Sequence, residues 1–140
     1  MEEKNKDEAI EQLQYLPTIY AQEYDNLLRE ITNYNAVYNA TRRNLEVLNN
    51  IDSLQNNKVL VNLEGGTYID ANIGKIEKIM VYVGSNYIVE KSIEEAKLFL
   101  EESKKRQEEI INELNKQKQD VEKALIDIGI EMEKIGNANV

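Results

Sequence analysis

The sequence predicts an α+β chain in which two long helices pair as an antiparallel coiled coil and are joined by two central β-hairpins. Two observations carry that prediction. In the first and last thirds apolar residues recur at alternating spacings of three and four, as a coiled-coil seam requires. Between them the period drops to two and glycines punctuate it, as strands and tight turns require. At 140 residues the chain is read as a single domain, with a helix over about 8–50, hairpins over 58–90 and a second helix over about 92–135.

The first helix is the most regular element. Ile10, Pro17, Tyr24, Ile31, Tyr38 and Leu45 form one series in sevens; Leu13, Tyr20, Leu27, Tyr34, Thr41 and Leu48 form the other. Only Pro17 and Thr41 depart from the apolar pattern. Proline has no amide hydrogen and crowds the preceding turn, so Pro17 either kinks the helix or marks its start. Ile10 and Leu13 keep the phase upstream, which favours a kink.

In the middle, Val59, Val61 and Leu63 alternate with Leu60 and Asn62 before Glu64-Gly65-Gly66, and Thr67, Ile69 and Ala71 alternate with Tyr68 and Asp70 on the return. Ile79, Val81 and Val83 alternate with Met80 and Tyr82, then Gly84-Ser85-Asn86 turns into Tyr87-Ile88-Val89. Gly74 separates the two hairpins. Four short strands leave apolar faces and unpaired edges, so this segment predicts oligomerisation. Its candidate assembly residues are Val59, Val61, Leu63, Tyr68, Ile69, Ile79, Val81, Val83, Tyr87 and Val89.

Ser92-Ile93-Glu94-Glu95 has capping-box spacing and opens the second helix. Its seam is read through Ile93, Ala96, Leu100, Ser103, Gln107, Ile110, Leu114, Gln117, Val121, Ala124 and Ile128. Near the carboxyl end a neighbouring register takes over through Leu125, Met132 and Ile135, and Gly136 is the expected stop. The helices are of similar length, so they can fold back on one another as arms of roughly 55–60 Å at 1.5 Å per residue.

Composition excludes several functions. Charged residues make up 31% and the formal net charge is −9, a field that repels phosphate backbones and argues against nucleic acid. The basic run Lys104-Lys105-Arg106 is flanked by Glu101, Glu102, Glu108 and Glu109 and reads as a solvated helical face. There is no Cys and no His, which removes disulfides, thiolate metal sites and the usual neutral-pH base. Gly74-Lys75 has Ile69 where a phosphate loop needs glycine and Ile76 where it needs Ser or Thr. No catalytic residues, cofactor or metal are therefore expected. Without a signal-peptide core or a spanning apolar run, neither export nor membrane association is expected; a cytoplasmic location is.

The helix ends carry more apolar residues than one seam can use. Ile10, Leu13, Tyr15, Leu16, Ile19 and Tyr20 crowd the start; Leu125, Ile126, Ile128, Ile130, Met132 and Ile135 crowd the finish. A two-helix tip has no third layer to cover the surplus, so it either forms an interaction surface or packs on another subunit.

The central block resembles a known family. Val59-Leu60-Val61-Asn62-Leu63-Glu64-Gly65-Gly66-Thr67-Tyr68-Ile69 is similar to the first hairpin of α-class prefoldin subunits of the archaeal kind. Lys78 to Ser92, with its Gly84-Ser85-Asn86 turn and Val89-Glu90-Lys91 exit, resembles their second hairpin, and Ile93-Glu94-Glu95-Ala96 the opening of their second helix. The resemblance implies a hexamer of two α-type and four β-type subunits assembled through intersubunit β-barrels. It implies an ATP-independent chaperone that binds unfolded proteins at its coiled-coil tips and passes them to a group II chaperonin. Client-binding residues would then be Ile10, Leu13, Tyr15, Leu16, Ile19, Tyr20, Leu125, Ile126, Ile130, Met132 and Ile135. The alternative is a prefoldin-like structural subunit that forms homo-oligomers or filaments through its hairpins.

Overall fold

A computed structural model describes residues 2–138. Helix α1 spans Glu2–Asn49, followed by a single turn, α2, at Ile51–Leu54. Strands β1 (Lys58–Asn62) and β2 (Tyr68–Asn72) form one hairpin, and β3 (Ile79–Gly84) and β4 (Tyr87–Lys91) a second. Helix α3 spans Ile93–Ala138. The chain divides into two compact units, one made of residues 37–107 and the other of 1–36 with 108–140.

Within residues 37–107 the hairpins are separate two-stranded antiparallel sheets. Glu64, Gly65 and Gly66 all take positive φ, so the first turn needs the glycines the sequence supplies there. The Asn62 side chain accepts the Glu64 N–H at 2.8 Å and holds the turn locally. Ser85 and Asn86 take positive φ together, the geometry of a tight hairpin turn matched to strand twist. The ladder slips between Tyr82 and Gly84, which displaces Val83 from regular pairing. The segment between the hairpins is tied back where the Ile76 N–H donates to Gln55 Oε1 at 3.1 Å.

The core of this unit gathers Leu48, Ile51, Val81 and Ala96, with Leu54, Ile76, Ile79, Ile93, Phe99 and Leu100 packed around them. Ala96 is 0% exposed, so a small residue is what lets α3 approach its neighbours here. Entry to α3 follows the expected cap: the Glu95 N–H donates to Ser92 Oγ at 3.1 Å. Thr41, buried in the seam of α1, satisfies its hydroxyl on the Val37 carbonyl at 3.0 Å.

In the other unit the segments of α1 and α3 run antiparallel. Leu27 packs with Leu114 and Val121, and Tyr20, Tyr24, Ile31, Tyr34 and Leu125 complete that cluster. Ile10 and Leu13 line a cavity together with Met132 and Ile135. Helix α1 passes through Pro17 rather than starting there. Every predicted seam position of α1 is buried or half-buried.

Helix α3 departs from its expected register. Ile110 and Gln117 face solvent, whereas Ile111 and Lys118 are half-buried in their place. The seam therefore takes a step of four from Gln107 to Ile111, a stutter that locally unwinds a coiled coil. From Val121 on this is the neighbouring register expected near the carboxyl end: Leu125, Ile128 and Ile135 are buried or half-buried, whereas Met132 is exposed. The Lys118 stem can lie along apolar surface with its ammonium in water. Gly136 does not end α3, which continues to Ala138. Glycine permits a left-handed cap without imposing one.

Candidate functional site

The terminal end of the helix pair contains the first group of predicted residues. Ile10, Leu13, Leu16, Tyr20, Leu125 and Ile135 are half-buried, while Tyr15, Ile19, Ile126, Ile130 and Met132 are exposed. Tyr15 leaves 69% of its surface in solvent and Ile126 63%, so two large apolar side chains stand almost free. Ile10, Leu13, Met132 and Ile135 surround a cavity of about 210 Å³, and Tyr15 and Leu16 floor a wider groove of about 480 Å³ with Glu8, Glu11 and Gln12. Half-buried seam residues beside exposed apolar neighbours make a surface that can take up a further apolar group.

The hairpins contain the second group. Val61, Leu63, Tyr68, Ile69, Val83, Tyr87 and Val89 are exposed, Val59 and Ile79 half-buried, and Val81 is buried in its own chain's core. Leu60, Met80, Tyr82 and Ile88 are exposed as well, Leu60 at 68% and all four on strands, though the sequence reading gave them no role. Pairing places Tyr82 opposite Ile88 and Met80 opposite Glu90, so Met80, Tyr82 and Ile88 share one face of the second hairpin. The signal was present in the sequence: Ile79-Met80-Val81-Tyr82-Val83 is apolar on both sides, as strands covered on both faces are. Each two-stranded sheet also keeps two outer edges outside its ladder.

Electrostatics separates these surfaces. Residues 37–107 hold ten Lys or Arg and ten Asp or Glu, a formal charge of zero. The other unit holds seven against sixteen, which is the whole net charge of −9. Within that unit Tyr24 donates its hydroxyl to Glu122 at 3.1 Å, bridging α1 and α3. That bond, helped by partial desolvation, raises the Tyr24 pKa above its ordinary value, because ionisation would remove the donor and face a carboxylate. Among the described residues no cluster of acidic side chains could hold a metal ion, and no helix is long and apolar enough to cross a membrane.

Two long helices flank two β-hairpins, and apolar groups are exposed at the helix ends and on the strands. The family model described as prefoldin subunit matches residues 20–138. A prefoldin subunit alpha of Thermofilum pendens is 36% identical over 104 residues, covering 71% of this chain and 81% of the relative. One from Archaeoglobus fulgidus is 31% identical over 108 residues, covering 76% of each. The cryo-EM structure of filamentous PFD from Methanocaldococcus jannaschii has the same fold, with TM-score 0.56, 23% identity and coverage of 85% of this chain and 93% of that one. The chain belongs to the prefoldin family, as an α-type subunit. Prefoldins are chaperones rather than enzymes.

Proposed function

We propose that this chain is one of the two α-type subunits in a cytoplasmic hexamer with four β-type subunits, working as an ATP-independent holdase. Each copy acts as one prefoldin-like domain. Hairpin strands join those of neighbouring subunits into β-barrels, the terminal helix ends receive unfolded proteins, and the loaded assembly passes them to a group II chaperonin. The observation that carries this reading is the set of apolar side chains exposed at the helix ends, Tyr15, Ile19, Ile126, Ile130 and Met132. Each contact with a client is weak, and several subunits acting together raise affinity by ~10²–10⁴ through avidity.

The test is a quadruple variant with Leu16, Ile19, Ile130 and Met132 changed to Ser, mixed with β-type partner and sized before use. The assembly forms as for the parent, and client aggregation is suppressed on the order of tenfold less well. Equal protection by the variant contradicts the assignment of clients to the helix ends.

A second reading, self-assembly into homo-oligomers or filaments, is favoured by the two complete hairpins with outer edges outside their ladders. Sizing the pure chain separates the two. Open polymers from the chain alone support self-assembly; a discrete particle that appears only on mixing supports the chaperone hexamer.

A further inference from the structure

We propose, resting on the client-binding reading above, that the helix ends prefer one class of unfolded segment: an apolar residue with Lys or Arg two or three positions away. The terminal stretch, residues 2–20 and 125–138, holds three lysines against eight carboxylates, and it also exposes Tyr15, Ile19, Ile126, Ile130 and Met132. Locally the two features share one groove. Tyr15 and Leu16 form its apolar floor, and Glu8 and Glu11 lie on the same α1 face one to two turns earlier. Both carboxylates are exposed, and among the described residues neither makes an ion pair.

Spacing fixes the register of the ligand. Glu11 and Glu8 precede Tyr15 by rises of about 6 and 10 Å at 1.5 Å per helical residue. An extended segment advances about 3.3 Å per residue, so a basic side chain two or three positions from the seated apolar one reaches them. A segment with acidic residues there meets like charge instead.

The probes are three fluorescein-labelled peptides sharing a Phe-Ile-Leu core and differing only in flanking Lys, Gln or Glu, titrated into the full chain and read by anisotropy. At low ionic strength affinity falls in the order Lys, Gln, Glu, spanning about tenfold, and about 1 M NaCl compresses the span to within about twofold. E8Q/E11Q, at exposed positions, narrows the low-salt span to about threefold; E101Q/E102Q, an equal charge change in residues 37–107, leaves it intact. Equal affinities for the three peptides overturn the selectivity and leave the client-binding reading standing. No binding by any of them overturns both. Equal narrowing by both double variants overturns the assignment to Glu8 and Glu11.

Discussion

The two compact units of this chain differ in charge and in where their apolar side chains lie. Residues 37–107 balance ten basic against ten acidic side chains and leave eleven large apolar side chains exposed on or beside their strands. The other unit keeps most of its apolar side chains along a helical seam and carries the entire charge of −9. A neutral apolar surface lets other subunits approach without like-charge repulsion, whereas a strongly acidic one resists close packing with its own copies. The surfaces proposed for assembly and for client capture thus differ in charge.

The largest effect that could break this contrast comes from placing the same charge in each unit. Val81→Asp buries an unpaired carboxylate among Leu48, Ile51 and Ala96 and destabilises the chain by about 3–5 kcal/mol. Ile130→Asp, exposed in the other unit, stays within about 0.5 kcal/mol. Urea denaturation of the two variants reads the difference; similar midpoints would mean that Val81 is not a core residue.

A smaller change sharpens the account of the α3 seam. Among the described residues Gln107 Oε1 is buried without a hydrogen-bond partner, and Gln107 stands where the stutter begins. Gln107→Leu removes that unsatisfied group and raises stability by about 1–2 kcal/mol, measured as a higher denaturation midpoint at unchanged slope. A lower midpoint would show that the side chain is satisfied.

The sequence showed that α3 changes register near its carboxyl end but not that the change comes as early as Ile111, and the reason is specific. Ile110 and Ile111 are both apolar, and Gln117 and Lys118 both polar, so either neighbour continues the pattern equally well. Leu114 and Val121 belong to both registers, so the choice shows only in the burial of Ile111 and Lys118. Helix α1 was legible nearly throughout, because Leu13, Tyr24, Ile31, Tyr34 and Leu45 each stand between polar neighbours and fix its phase. Both hairpins were legible from alternation and turn residues. Their second apolar face was not assigned, since alternation alone treats Leu60, Met80, Tyr82 and Ile88 as the side facing away. Gly136 misled because a residue that can end a helix need not do so.

The smallest predicted effect concerns the Tyr24–Glu122 bridge. The folded-state pKa of Tyr24 is raised, so its contribution to stability is complete below the ordinary value of 10.0 and is lost as pH rises through the raised one. Tyr24→Phe therefore lowers the melting temperature slightly near neutral pH, and the gap to the parent closes in strong alkali. A gap that widened with pH would reverse the assigned cause.

The proposed separation of client capture from assembly is tested most directly by photo-crosslinking in the complex with β-type partner, with the photoreactive amino acid placed either at Ile19 or at Tyr82. Both side chains are exposed in the single chain, one at the terminal end of the helix pair and one on the second hairpin. Position 19 is expected to crosslink to unfolded client and position 82 to neighbouring subunits. Client captured from position 82, with none from position 19, would contradict it.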